Sequence, residues 1–158
     1  MANTQSMCTT FMGELLTSTH NFGVAPTRAS SAADTFKGAL YLTTATVDAN
    51  TSVYSATNEV TGAGYSAGGV TVTNATVPAQ TNTSAIAGVA YWTPSASITY
   101  TSVTLATAFD CVLIYNSTQS NKAVSVHTFG SQTVTAGTFT LTMPANTTTT
   151  ALLRLTTS

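Results

Sequence analysis

The residues able to do chemistry are few: Cys8 and Cys111, His20 and His127, and the five carboxylates Glu14, Asp34, Asp48, Glu59 and Asp110. Covalent catalysis needs a nucleophile, a base beside it and a group that orients the base. Cys8 and His20 are separated by a helical segment and a turn, a spacing that fixes no geometry between them. His127 continues the alternation of Val124 and Val126 with Ser125, which places it on the polar face of a strand, exposed or at an interface. No GxSxG, HExxH, Walker A or GxGxxG pattern stands in a usable context. The cysteines form neither a CxxC pair nor a metal spacing, so two free, buried thiols are expected. A carboxylate pair for glycoside hydrolysis would be a guess among five acids, and Asp48 with Asn50 lacks the acidic spacing of an EF-hand. The expectation is a protein that is not an enzyme, with no cofactor and no metal. Two features remain for binding. Tyr91-Trp92-Thr93-Pro94 sets the lone tryptophan beside a tyrosine at a strand end, able to stack on a sugar, anchor an interface or pack at the edge of the core. Gly62-Ala63-Gly64-Tyr65-Ser66-Ala67-Gly68-Gly69 holds four of the ten glycines and reads either as a tight loop beside a ligand or partner or as a mobile connection.

The composition around these residues is unusual. Nine of the 158 residues are charged and thirty-six are threonine, where an average soluble domain of this length carries about forty charges. The stretch from Val60 to Phe109 has none. β-Rich proteins keep their edges from sticking with Lys and Glu, so a surface of hydroxyls implies cover by a partner. Arg28, Lys37, Lys122 and Arg154 are scattered singly and make no patch for a phosphate backbone or an anionic membrane. No apolar run approaches the length of a membrane span, and the N-terminus lacks the basic and apolar regions of a signal peptide. The partners expected are therefore proteins, with no nucleic acid and no membrane. Five Asn-x-Ser/Thr triplets, beginning at Asn50, Asn74, Asn82, Asn116 and Asn146, follow from the density of Ser and Thr. TxT triplets such as Thr71-Val72-Thr73 and Thr133-Val134-Thr135 do not recur at a fixed period, which disfavours a solenoid.

The elements that must position these residues change character near residue 23. Met7, Phe11 and Leu15 recur at a spacing of four and predict a helix from Met7 to Ser18, closed by His20-Asn21-Phe22-Gly23. Val24 to Ala33 reads as a connector. Beyond it the period is two: Phe36, Gly38, Leu40 and Leu42 alternate along one strand, and in Thr138-Phe139-Thr140-Leu141-Thr142-Met143 the Phe, Leu and Met face inward with threonines outside. Threonine suits a pleated surface because its χ1 is restricted. Cys111-Val112-Leu113-Ile114-Tyr115 is apolar on both faces and predicts a central strand. Asn116 to Asn121 turns it into a hairpin with Ala123 to Thr128, and a last strand runs near Ala151 to Leu155. Eight or so short strands without helical crossovers predict an all-β, single-domain antiparallel β-sandwich or jelly roll, with residues 1–23 as a helical arm and 24–158 as the sandwich. The candidate partner-contact residues are Met7, Phe11, Leu15, Tyr65, Tyr91 and Trp92.

Several segments resemble small virion structural proteins of tailed bacteriophages: Ser6-Met7-Cys8-Thr9-Thr10-Phe11, Phe36-Lys37-Gly38-Ala39-Leu40-Tyr41-Leu42, Tyr54 through Tyr65, and the run from Ala108 through Tyr115-Asn116-Ser117 to Leu153. The likeness covers most of the chain and leaves out Val70 to Ala108. It implies a capsid decoration or cement protein, made in the host bacterial cytoplasm and carried on the outer capsid surface. Its partners would be the major capsid protein and copies of itself, as a dimer or trimer. The alternative is a tail or fibre module that binds a host-surface glycan through Tyr91, Trp92 and the glycine loop. A small hydrolase using His127 or Asp110 is a third class.

Overall fold

The structure, a computed structural model, describes residues 3–16, 19–22, 33–74, 76, 78–83 and 86–156. The connector at 24–32 and the arm boundary at 23/24 lie outside them. Among the described residues the fold is all-β and antiparallel, with one short helix. The elements are β1 (Ser6–Met7), α1 (Thr9–Leu16), β2 (Phe36–Leu42), β3 (Val70–Val72), β4 (Ala79–Thr83), β5 (Ile86–Trp92), β6 (Ile98–Asn116), β7 (Lys122–Leu141) and β8 (Leu153–Thr156). They form a five-stranded sheet ordered β1-β7-β6-β2-β3 and a three-stranded sheet ordered β4-β5-β8. No helix among the described residues is long and apolar enough to cross a membrane.

The expected central strand is the second half of β6, flanked by β2 and β7, and every residue from Cys111 to Asn116 is buried there. The hairpin turn that follows is built by polar side chains. Asn116 Oδ1 accepts the backbone N–H groups of Thr118 and Gln119 at 3.1 and 3.2 Å, and Ser120 and Asn121 take positive φ angles of 53° and 60°. Short polar side chains that bond to their own backbone favour such turns.

Two expectations about length change. β6 and β7 are 19 and 20 residues long, not short, because their pairing runs through repeated register shifts that a period-two pattern does not display. Those shifts let the hairpin fold over itself. Ile98 lies sixteen residues before Ile114, which would separate them by roughly 53 Å on a straight strand. Yet Ile114 pairs with Gly38, and the Ile98 side chain packs over Gly38 as well. Tyr100, 1% exposed, donates its hydroxyl to the Gly38 carbonyl at 2.8 Å. The first half of β6 is thus a second layer above β2, and left-handed backbone at Ser102 (φ 54°) and Ala136 (φ 47°) marks where the two strands bend.

The helix is also shorter than the spacing of four predicts. Met7 belongs to β1, which pairs with Val126 and Ser125 of β7, and only Phe11 and Leu15 of the expected stripe sit on α1. Residues 17 and 18 lie outside the described residues. Cys8 and Phe11 are part of the buried core, so this segment is knit into the sheet. Ser125 is buried and His127 only partly exposed, with β1 paired along the β7 edge at Ser125 and Val126 and α1 packed against β7.

Candidate functional site

Five of the six candidate contact residues converge on one apolar groove between α1 and the three-stranded sheet. Met7, Phe11 and Leu15 line one side, Tyr91 and Trp92 of β5 with Leu153 and Leu155 of β8 the other, and Phe22 the floor, around a volume of about 170 Å³. An aromatic chain holds the walls at this separation. Phe11 meets Phe22 edge-on at 5.9 Å, Phe22 stacks on Phe36 at 4.4 Å, and Phe22 meets Trp92 edge-on at 4.8 Å. Such geometries place the positive ring edge against the negative face.

The groove sorts the candidates by role. Phe11 and Trp92 are 2% and 3% exposed and form its base, and the Trp92 indole N–H donates to the Thr76 carbonyl at 2.9 Å. Met7, Leu15 and Tyr91 are half-buried at the rim, joined by Leu155, which is 42% exposed. Leu155 was not legible as a contact, since a leucine in a C-terminal strand reads as core.

Tyr65 goes elsewhere. Its hydroxyl donates to Glu59 Oε1 at 2.7 Å and accepts the Leu40 N–H at 2.9 Å, and its ring stacks on Tyr100. It therefore fastens its own loop to the sheet and lies apart from the groove. The buried Glu59 carboxylate also accepts the Tyr54 hydroxyl at 2.6 Å and the Gly68 N–H at 2.8 Å. Burial first, and then the Glu59 hydrogen bond, push the Tyr65 hydroxyl pKa well above its ordinary value. The glycine loop is clamped against the sheet. Gly64 and Gly69 have φ of 77° and 68°, and a Cβ at either would overlap a backbone carbonyl, that of Ser102 or of Gly38. These glycines answer to close backbone approach within the chain.

The other carboxylates are also hydrogen-bonded within the chain. Asp34 accepts the Asn21 N–H at 2.8 Å and the Asn116 amide at 2.7 Å. Asp110 accepts the Asn3 amide at 2.6 Å, and Asp48 accepts the Asn50 N–H at 2.8 Å in a local turn. Glu14 accepts His20 Nε2–H at 2.7 Å and Lys122 Nζ at 2.5 Å, while Asn116 donates to His20 Nδ1 at 3.0 Å. Burial pushes the Glu14 carboxyl up, but the bonds from Lys122 and His20 outweigh it and hold it below the ordinary value. Asp34, Asp110 and Glu14 thus fasten separate segments of the chain to one another, and the Glu14–His20–Asn116–Lys122 cluster tethers α1 to the β6–β7 turn.

The groups able to act as nucleophiles are sealed. Cys8 and Cys111 are free and buried, and burial raises each thiol pKa to about 12, far from the reactive range. Ser125 Oγ lies 2.9 Å from His127 Nε2, but Ser125 is 1% exposed and burial lowers the His127 pKa to about 4. So weak a base is poorly matched to proton abstraction near neutrality. No cluster of three or more His, Cys, Asp or Glu side chains placed to hold a metal occurs among the described residues. Compared with protein-family models, curated proteins and solved structures, the chain matches none.

Proposed function

We propose that this protein is a virion structural component of a tailed bacteriophage, a decoration or cement protein that binds the major capsid protein on the outer surface of the shell. The observation that carries this reading is that four of the five carboxylates, Glu14, Asp34, Glu59 and Asp110, are held in buried or half-buried hydrogen bonds within the chain. The outside is dominated by hydroxyl and small apolar side chains, with few charges such as Arg154 among them, and the groove between α1 and the small sheet is an anchor point. A protein repeated across a shell gains from faces of this kind, because neighbours meet without like-charge repulsion and without desolvating ions. Binding that favours the assembled lattice over free subunits stabilises the lattice by mass action. The resemblance of the segments at Ser6, Phe36, Tyr54 and Ala108 to phage virion proteins supports the same reading. The finer fold assignment, a β-sandwich or jelly roll, belongs to this proposal too, supported by the fold-over of β6 across β2.

The glycan-binding alternative has less support. Its platform needs an exposed ring, and Trp92 is turned inward with its N–H satisfied. Counting copies in purified particles tests the proposal: a number near that of the major capsid protein is expected, and a handful per particle would sink it.

A further inference from the structure

Among the described residues the longest open edge belongs to β7. Among the described residues β1 pairs with it only at Ser125 and Val126, and no strand lies on its outer side from His127 to Leu141. Native edges of such length normally carry charged side chains that repel a second strand. Here no formally charged residue occurs between Lys122 and Arg154. Thr133, Thr135, Thr138 and Thr140 are exposed along the edge instead.

The bends in β7 restrict how a second strand can lie against it. Between its pairings with Cys111 and Phe109, β7 takes four steps, Thr128 to Gln132, for two of β6. Between its pairings with Leu105 and Val103 it takes three, Val134 to Gly137, for two. β6 offsets each in the next pairing, with four steps for two between Phe109 and Leu105 and three for two between Val103 and Tyr100, so the irregular stretches of β7 are 128–132 and 134–137, with Thr133 between them. An antiparallel partner whose own bends fall opposite these must carry the same spacing in reverse, a condition that a second β7 meets when a two-fold axis passes through Thr133.

We propose that the protein self-associates as a two-fold dimer through the outer edges of β7, with Thr133 of each copy opposite its counterpart. Near a two-fold axis each residue meets its own kind, so the contact must be self-complementary. A charge there would face a like charge, whereas a hydroxyl both donates and accepts. The hairpin already contains such a pair, Thr99 and Thr140, whose Oγ1 atoms lie 3.4 Å apart across β6 and β7. His127, at the end of the paired stretch, is neutral at pH 7 because burial lowers its pKa to about 4. Even fully extended the seam would be at most roughly 45 Å by 10 Å and bury at most roughly 900 Å² from both copies, a size typical of weak, reversible contacts. The dimer rests on the edge alone and holds whether or not the protein sits on a capsid, so a low copy number in particles would leave it standing.

Cysteine cross-linking and sedimentation of the full chain test it. Thr133→Cys is expected to form a disulfide-linked dimer under mild oxidation, while Ser131→Cys, which lies opposite Thr135 of the second copy, does not; the native thiols are buried and do not compete. The wild type is expected to sediment as a reversible monomer and dimer. Thr133→Lys and Thr133→Glu should each weaken the dimer about tenfold or more with the circular dichroism unchanged, and mixing the two variants should restore it. The proposal is overturned by equal cross-linking at Ser131 and Thr133, by a Thr133→Lys variant that dimerises like the wild type, by a trimer, or by a wild type that stays monomeric at millimolar concentration.

Discussion

From Cys111 to Asn116 every residue of β6 is buried, whereas Thr99, Thr101, Ser102, Ala106 and Thr107 in its first half are exposed. β7 repeats the contrast, with Ala123 to Val126 buried and Ser131, Gln132, Thr133, Thr135, Thr138 and Thr140 exposed. Both halves belong to the same hairpin, and the difference comes from what covers them. β2, α1 and β1 lie on the buried half, while the distal half is covered on one side only, by its own fold-over onto Gly38 and the clamped glycine loop. Stability therefore concentrates in the half enclosed from both sides, and the half with one open side is left for contact with other molecules.

Phe109 stands where the halves meet, packed edge-on against Phe129 at 6.0 Å and Phe139 at 5.0 Å. Phe109→Ala should have the largest effect, lowering unfolding free energy by about 3–5 kcal/mol in denaturant titration. A loss below about 1 kcal/mol would mean that the distal half does not rest on the proximal one. Next is Glu59→Leu, which leaves the Tyr54 and Tyr65 hydroxyls and the Gly68 N–H without their acceptor. It should cost on the order of 1–3 kcal/mol and raise hydrogen exchange in the loop over residues 54–69 more than in Cys111–Tyr115. Uniform exchange in both regions would contradict a local clamp.

His127 tests the covered half by pH. Its pKa is lowered from an ordinary 6.5 to about 4, so between these values the unfolded chain binds more protons than the folded one. Stability is then full above about pH 6.5 and falls as the pH drops toward 4. His127→Gln should remove on the order of 1–2 kcal/mol of that loss relative to wild type, measured as the difference in unfolding free energy between pH 7 and pH 4.5. Parallel curves for the two proteins would show that the ring is solvated. The smallest effect is expected on the open face, where Thr138→Val should change stability by no more than about 0.5 kcal/mol. A larger loss would show that this face is packed within the single chain.

Much of the hairpin was legible. The doubly apolar run Cys111–Tyr115 identifies a strand covered on both faces, the polar cluster Asn116–Asn121 identifies the turn, and Thr138–Met143 shows which side chains face the core. The groove was legible only as separate pieces. Met7, Phe11 and Leu15 suggest one surface and Tyr91-Trp92 another, and their meeting depends on Phe22 bridging to Phe36 and Trp92, a contact between segments far apart in the chain. The reading of Met7 as helical missed, and the polar face of Ser125 and His127 is more enclosed than alternation suggests. Local periodicity reports which faces differ in polarity, whereas the pairing of β1 along the β7 edge and the packing of α1 against β7 depend on which distant segments meet.

By itself the sequence determined the strand-rich architecture and the neutral, hydroxyl-bearing surface, because residue alternation and the scarcity of charge act locally and need no partner to be read. Tertiary structure alone decided that β6 folds back over β2, that Glu14, Asp34 and Asp110 bond to distant segments, and that Trp92 lies at the base of a groove and Tyr65 against Glu59. The physical reason is that bulges, buried hydrogen bonds and ring stacking depend on which distant segments meet, and those meetings are selected by the energy of the whole packed chain.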